Sequence, residues 1–421
     1  MSSIKVMPSR FKGEVTLPPS KSDVHRAILC ASLSRGKSVI APVDLSQDIS
    51  ATIDCARALG ADIKIDGKTA YIDGSRLFKN KEAVLDCRES GSTLRFFIPV
   101  ACAGGVNATF IGKGRLPQRP IGIYLDCLPK AGVECITEAG LPLKINGTLQ
   151  AGEFEVPGDV SSQFITGLLL ALPLTGKDCK IRITSALQSV GYINMTIRTM
   201  AEFGVTVEST DYGYFIKGGQ EYKPCNYTCE ADWSQAAFFL AAGAFGEEVT
   251  LKGLRLDSIQ GDKECMELFR QFGADITVSD NAITVKPHKL KGIDIDATQI
   301  PDLVPILAVT AAFAEGTTNI YGAERLRIKE SDRLNAISTC LNKIGARVTE
   351  KPDGLIIDGV ATAIGGKVEG YNDHRIVMAM AIAVAKCTSA IEITDKESIN
   401  KSYPAFFDDY RSIMGKAEEI E

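Results

Sequence analysis

Apolar positions along the chain fall into two alternating kinds of run. In the first, a polar residue opens an Ala-, Leu- and Ile-rich stretch that closes at or near a Gly, the pattern of a buried helix. Six such stretches occur, at residues 20–35 (then Gly36), 90–104, 161–176, 234–246, 302–316 and 373–385. A short β-rich segment follows each, at 39–40, 108–111, 180–183, 249–251, 318–321 and 390–393. In the second kind, an amphipathic helical pattern ends in a Gly followed by a small or branched residue. It covers 55–59, 125–130, 195–203, 265–272 and 334–344, ending at Gly60-Ala61, Gly132-Val133, Gly204-Val205, Gly273-Ala274 and Gly345-Ala346. These steps recur about every 70 residues, and two short strand patterns follow, as at 348–350 and 355–357. The unit reads helix, strand, helix, strand, strand, about six times over, with the last copy cut short by the chain end.

A unit of that size cannot bury a core alone. Two clusters of three are the natural grouping, and a boundary near residues 230–233 divides the copies equally. The first strand pattern, residues 4–17, precedes copy one and can pair with either half. A binding solenoid would carry interchangeable surface residues in every copy. These copies differ sharply where each first helix begins, which points to one composite site.

The helix starts carry the chemistry. Ser, Thr, Asp and Asn are favoured N-caps because their side-chain oxygen accepts a free backbone N–H. Cations near those starts are different, because they oppose the helix dipole. A bound anion explains them better, since unpaired N–H groups and partial positive charge already make a helix N-terminus an anion site. Lys21 with Arg26, Arg95, Arg375, and Lys329 with Arg333 are such cations. The stretch Ser90-Gly91-Ser92-Thr93-Leu94-Arg95 resembles a phosphate cradle, with a Gly for close backbone approach among hydroxyls and an Arg. Arg119-Pro120 stands just before a helix pattern, on a loop that could cover a ligand. The most loaded stretch is 301–333. It opens with Asp302 and ends in Arg327-Ile328-Lys329-Glu330-Ser331-Asp332-Arg333.

Composition narrows the classes. At 421 residues, 45% apolar and 24% charged, the chain is an ordinary globular protein of two or three domains. A net charge of −5 argues against nucleic-acid binding by bulk charge. The longest apolar runs, 303–314 and 376–385, are shorter than the roughly 20 residues a membrane span needs. The N-terminal sequence has no apolar signal region, and the twelve Cys residues show no CxxC pair. A cytoplasmic protein with reduced thiols is expected. Gly36-Lys37-Ser38 lacks the first Gly of a P-loop, and Gly112-Lys113-Gly114 lacks the third Gly of a dinucleotide fingerprint. His25, His288 and His374 have no metal-ligand spacing, so neither metal nor cofactor is expected. No Gly-x-Ser-x-Gly elbow is present.

Seven segments then carry a resemblance: LPPSKSDVHRAIL (17–29), ESGSTLRFF (89–97), GKGRLPQRPIG (112–122), SSQFITGLL (161–169), IPDLVPILAVTAAFAEGTT (300–318), RIKESDRL (327–334) and YNDHRIVMA (371–379). In this order, over nearly the whole chain, they resemble the 5-enolpyruvylshikimate-3-phosphate synthase family of enolpyruvyl transferases. The resemblance implies an α/β fold of two inside-out barrels, with six βαβαββ units, three per domain. One domain would be residues 20–231, on the shikimate 3-phosphate side. The other would be residues 1–19 with 232–421, on the acid–base and phosphoenolpyruvate side. Helix N-termini would face the cleft between the domains, which would close on substrate.

The implied reaction adds the 5-hydroxyl of shikimate 3-phosphate to C2 of phosphoenolpyruvate while C3 is protonated. The tetrahedral intermediate then expels phosphate, completing a step of aromatic amino-acid biosynthesis in a cytoplasmic monomer. Matched residue by residue, Lys21, Ser22 and Arg26 would contact shikimate 3-phosphate, as would Ser161, Ser162, Gln163, Ser189, Tyr192, Asp302 and Lys329. Lys21, Gly91, Arg119, Gln163, Arg333, Arg375 and Lys401 would bind phosphoenolpyruvate. Arg suits a carboxylate because its fork is bidentate. Asp302 would be the base near the 5-hydroxyl, Glu330 would carry the C3 proton, and Lys21 would assist catalysis. Two acids among many cations should be strongly ionised, so a working acid needs offsetting burial.

Two positions depart from common members. Glu89 stands where many carry Asn, and would repel an anion unless it pairs with Arg88 or Arg95. Arg325 stands where some carry Asn. Gly91 is the position whose size bears on glyphosate binding in the family; Gly there points to sensitivity and Glu89 points against it. The related transferase acting on UDP-N-acetylglucosamine would place a Cys five residues before the Arg-Pro, where this chain has Gly114. A non-catalytic repeat protein with an anion-binding cleft would have no need of Asp302 and Glu330.

Overall fold

The computed structural model describes residues 2–279 and 282–420. The chain divides into two compact units, Pro19–Cys229 and Met1–Pro18 with Glu230–Glu421. Each unit has its own apolar cluster and three four-stranded sheets.

In the Pro19–Cys229 unit, the middle copy shows the plan. The strand Glu82–Asp86 leads through the helix Gly91–Ala103 to Asn107–Ile111, which lies parallel to it. A parallel pair needs such a crossover. The helix Gly122–Cys127 then leads to Val133–Ile136 and Leu143–Gly147, an antiparallel pair whose second strand borders Asn107–Ile111. The next copy repeats this with Glu153–Val156, Cys179–Ile183, Glu208–Thr210 and Gly213–Ile216 around the helices Ser162–Ala171 and Val190–Glu202. In the first copy the leading place is filled from the unit's far end, where Asn226–Thr228 pairs with Lys37–Ala41.

The other unit uses the N-terminal segment twice. Residues 4–17 read as one strand in the sequence, but they form two, Ser3–Met7 and Lys12–Thr16. The break falls at Pro8, which cannot donate to a ladder. Lys12–Thr16 runs parallel to Glu248–Lys252 as the leading strand of the fourth copy. Ser3–Met7 lies antiparallel between Ile391–Thr394 and Lys416–Ile420, so the last copy is completed rather than truncated. The leading strands Asp294–Asp296 and Gly366–Val368, like Glu82–Asp86 and Glu153–Val156, leave little alternating apolar signal in the sequence. They are short and charged, as edge strands tend to be.

Burial shows which layer is inside. All residues of Trp233–Phe245, Val304–Ala312 and His374–Ala383 are buried. Strands instead alternate, as in Asn107–Ile111 where Ala108 and Phe110 are buried and Asn107 and Ile111 are exposed. Helices buried all round and sheets wet on one face put the helices in the core, the reverse of an ordinary barrel. Gly167 shows how closely they approach. A Cβ there would overlap the Arg95 carbonyl and the Tyr124 hydroxyl, so Ser162–Ala171 lies tight on Gly91–Ala103. Tyr124 ties them further, its hydroxyl within 2.7 Å of the Arg95 carbonyl and 3.0 Å of the Phe164 carbonyl.

Candidate active site

Two sets of polar side chains gather at these helix starts, one in each unit. In the Pro19–Cys229 unit, Ser20 caps Lys21–Leu33 with extended backbone but no side-chain bond to the helix. Lys21 Nζ lies 2.7 Å from Asp48 Oδ2, on the first turn of Gln47–Ala58. Ser22 contributes its carbonyl to Arg26, whose Nη1 donates to it at 2.6 Å. Arg26 Nε donates to Thr196 at 2.8 Å and Nη2 to the Tyr192 carbonyl at 2.9 Å, with the Phe96 ring 5.3 Å away. Burial pulls the guanidinium down to about 10, against the raising effect of Asp23, and it stays protonated at neutral pH. Arg26 thus ties its own helix to Val190–Glu202.

At the next start, Ser90 accepts from Thr93 N and Gly91 is the first helical residue. Arg119 lies directly over it: a Cβ on Gly91 would be 2.7 Å from Arg119 Nη1 and 2.8 Å from Cζ. Arg95 Nη1 donates to Gln163 Oε1 at 2.6 Å, and Nη2 donates at 3.0 Å to the carbonyl of Pro120, beside Arg119. Gln163 Nε2 in turn donates to Ser92 at 2.9 Å. Ser161 caps the third helix, accepting from Gln163 N, and Ser162 is buried behind it. Ser189 is buried at φ 55°, a left-handed conformation uncommon for Ser, and heads Val190–Glu202 one turn before Tyr192. Arg88 pairs with Asp54 at 2.7 Å. Glu89 reaches over the Gly112–Gly114 loop, where a Cβ at Gly114 would overlap its carboxylate.

In the other unit, Asp302 sits in a single 3-10 turn, Pro301–Leu303, ahead of the helix Val304–Ala312, rather than at the helix's own N-cap. Pro301 and Pro305 have no N–H to bond, so the first turn tightens. Around Asp302 stand three cations. Arg333 Nη1 is 2.8 Å from Oδ1, Lys329 Nζ is 3.3 Å from Oδ1, and Arg375 Nη2 is 3.6 Å from Oδ2. Arg375 Nη1 also donates to the Asp302 carbonyl at 2.9 Å.

Arg333 is 1% exposed and joins three carboxylates. Besides Asp302 it donates to Glu330 Oε2 at 2.8 Å and, through Nε, to Asp373 Oδ2 at 2.8 Å. Asp373 caps His374–Ala383 by accepting from Arg375 N, and accepts from Ser331 at 2.9 Å. Tyr371 and Asn372, at φ 54° and 48°, turn the chain into this cap, and buried Lys401 donates to the Asn372 carbonyl at 2.6 Å. The fourth helix start lies two residues earlier than the sequence pattern places it: Asp232 is the cap of Trp233–Phe245, and Ser234 is inside. Arg325 is buried and donates to the Thr298 carbonyl at 2.6 Å.

The charges set each other. Burial pushes the Asp302 carboxyl up, but Lys329, Arg375 and Arg333 outweigh it and hold Asp302 well below the usual carboxylate range. Burial likewise works against Asp373, and Arg333 with His374 reverses it. Lys329 is lowered by burial, with Asp302 opposing. Among the described residues, no group of three His, Cys, Asp or Glu is placed to hold a metal ion.

The site residues named from sequence therefore fall into one set per unit. Lys21, Ser22, Arg26, Gly91, Arg119, Ser161, Ser162, Gln163, Ser189 and Tyr192 lie in one, and Asp302, Lys329, Glu330, Arg333, Arg375 and Lys401 in the other. Sequence reasoning passed over Asp48 and Asp373 as partners of these cations. Only the capping pattern of Asp373 was there to find it.

The arrangement matches known proteins throughout. The profile of the EPSP synthase (3-phosphoshikimate 1-carboxyvinyltransferase) family matches residues 6–410. A 3-phosphoshikimate 1-carboxyvinyltransferase of Clostridium perfringens is 46% identical over 423 residues, covering 100% of both chains. One of Clostridium kluyveri is 47% identical over 421 residues, covering 100% of this chain and 99% of that protein. A solved EPSP synthase of Acinetobacter baumannii superposes with a TM-score of 0.85 at 26% identity, over 100% of both chains. The α/β architecture of six repeated sheets, the full-length identity and the shared profile together make this chain a member of the EPSP synthase family, the shikimate-pathway 3-phosphoshikimate 1-carboxyvinyltransferases.

Proposed function

We propose that the chain transfers the carboxyvinyl group of phosphoenolpyruvate to the 5-hydroxyl of shikimate 3-phosphate, with release of phosphate, as a cytoplasmic monomer. The observation that carries the residue roles is the ring of Lys329, Arg333 and Arg375 about Asp302, with Glu330 on the same Arg333.

In this reading Lys21, Ser22, Arg26, Ser161, Ser162, Gln163, Ser189, Tyr192 and Lys329 hold shikimate 3-phosphate. Arg26 does so by tying two helix starts together. Lys21, Gly91, Arg119, Gln163, Arg375 and Lys401 receive phosphoenolpyruvate, and Arg333 acts on it through the two carboxylates it orients. Asp302 takes the proton of the 5-hydroxyl as that oxygen bonds to C2. Glu330 gives a proton to C3 and later takes one back from the methyl group as the C–O bond to phosphate breaks. Lys21 neutralises the leaving phosphate.

A strongly ionised Asp302 is a weak base in the free protein. A carboxylate bound at Arg375 cancels one of its three nearby cations and raises its basicity. The base is thus strengthened by the substrate it serves.

Inorganic phosphate should appear only when both substrates are present. Release with a UDP-sugar in place of shikimate 3-phosphate would refute the assignment. The overlap of any Gly114 side chain with Glu89 is a structural reason to expect none. Gly91→Ala should push Arg119 off its seat, since that guanidinium has no space beside a Cβ. The expected result is a KM for phosphoenolpyruvate raised about tenfold, some 1.4 kcal/mol, with kcat changed less. Steady-state kinetics with an unchanged KM would show that Arg119 does not hold this substrate.

A further inference from the structure

We propose that Asp395 is a positioning residue for this reaction, which fixes the strained turn at Asn372 and begins the turn that carries Lys401, and so sets where the Lys401 ammonium meets phosphoenolpyruvate. The inference rests on the role given above to Lys401. Asp395 stands between the strand Ile391–Thr394 and the 3-10 turn Lys396–Lys401. Its Oδ2 accepts from Asn372 N at 3.2 Å and from the Thr394 hydroxyl at 3.1 Å. Its carbonyl accepts from Ser398 N at 2.9 Å, inside the turn. At the far end of that turn, Lys401 Nζ donates to the Asn372 carbonyl at 2.6 Å. One residue thus holds both partners of the Lys401–Asn372 contact, Asn372 through its side chain and Lys401 through the turn it begins.

Two features set this apart from an ordinary turn. An Asp placed just before a helical turn normally accepts from the N–H groups of that turn. Asp395 makes no such side-chain bond, and its carboxylate is turned to Asn372 instead. The second feature is the backbone, with Tyr371, Asn372 and Asp395 at φ 54°, 48° and 56°. Left-handed backbone is unfavourable for residues with a Cβ, and more so for Tyr than for Asn or Asp. Such conformations persist where the surroundings over-determine them, and they gather at functional sites. Here a carboxylate holds the N–H of Asn372 and an ammonium holds its carbonyl. Thr394 completes the clasp, because its hydroxyl also accepts from Gly370 N at 3.1 Å, at the entrance to the strained turn.

The consequence lies one residue further on. Asn372 leads into Asp373, the cap of His374–Ala383, and Arg375 is on the first turn of that helix. The clasp therefore ties Lys401 to the helix start that bears Arg375, another cation given above to phosphoenolpyruvate. Lys401 is buried, so a shift of its anchor moves the ammonium with it.

The test uses the full-length protein. Asp395→Gly removes the carboxylate and leaves the left-handed backbone unstrained. Steady-state kinetics should show the KM for phosphoenolpyruvate raised about tenfold, the KM for shikimate 3-phosphate unchanged and kcat altered by less than about threefold. Asp395→Asn keeps an acceptor and tolerates the same backbone, and its KM should stay within about threefold of the wild type. Placed on Lys401→Met, Asp395→Gly should add almost nothing, because it acts through that ammonium. A residue that only stabilises the fold would raise both KM values, or add its full effect to that of Lys401→Met. Either result overturns the proposal, as does an unchanged KM for phosphoenolpyruvate in Asp395→Gly. Asp395→Ser, whose side chain is one bond shorter, takes the place of the Gly variant if that one does not fold, with the same outcomes read. Lys401→Met by itself separates the two levels. A normal KM for phosphoenolpyruvate removes Lys401 from the substrate and the proposal with it; a raised KM with fully additive effects in the double variant overturns only the inference about Asp395.

Discussion

Asp302→Asn should leave phosphoenolpyruvate binding as tight as in the wild type, or tighter, and slow turnover by about a hundredfold to ten-thousandfold, the usual share of a general base. The amide keeps the shape of the carboxylate and can still accept from Arg333 Nη1, now 2.8 Å from Oδ1. What disappears is one negative charge among Lys329, Arg333 and Arg375. Those cations then present more positive charge to an anionic substrate, so KM does not rise. The proton of the 5-hydroxyl, however, has lost its acceptor. The separation of the two effects is the diagnostic. Calorimetric titration with phosphoenolpyruvate and shikimate 3-phosphate, beside phosphate-release rates, measures both. A kcat within about threefold of the wild type would remove Asp302 from proton transfer.

The features legible in the sequence were the local ones. Ser20, Ser90, Ser161 and Asp373 are caps in the structure because a cap and the apolar run behind it lie within a few residues of each other. Six such starts, with cations only at some, were enough to expect a shared anionic ligand. The fourth and fifth starts were misplaced because Ser234 and Asp302 look like caps, while Asp232 and the two prolines decide the geometry.

What sequence could not give is which distant groups meet. Lys21 reads as a cation at a helix start, and Asp48, which holds it in the free protein, lies 27 positions away. Arg95 reads as part of a phosphate cradle, yet it braces Gln163 and the Arg119-Pro120 loop. Arg88 and Arg95 were both candidates to neutralise Glu89. Arg88 lies on Asp54, Arg95 also holds Gln163, and Glu89 reaches over Gly114.

Arg333→Ala should cost about 3–5 kcal/mol of stability at neutral pH, because it leaves the buried Asp373 carboxylate without its guanidinium and takes one of three cations from Asp302. The side chain is 1% exposed and its guanidinium engages Asp302, Glu330 and Asp373 together. Asp302 keeps Lys329 and Arg375 in the variant. Asp373, fully buried, keeps His374, the Ser331 hydroxyl and the Arg375 backbone N–H, but no guanidinium. In the wild type both carboxyls are held below their unfolded value of about 3.9. Their contribution to stability is therefore complete above that pH and is lost as pH falls through the lowered folded values. Without Arg333, burial dominates at Asp373 and its folded value rises above the unfolded one. The charged form is then the destabilised one, and the variant recovers part of its deficit on acidification as Asp373 takes up a proton. Urea melts at pH 7.5 and pH 5 should show the gap between the two proteins narrowing toward the lower pH. Arg333→Lys keeps the charge but cannot fork to three carboxylates, and should fall between them. If Arg333→Ala melts like the wild type and raises only the KM for phosphoenolpyruvate, then Arg333 is a substrate ligand and not the strut that joins the three acids.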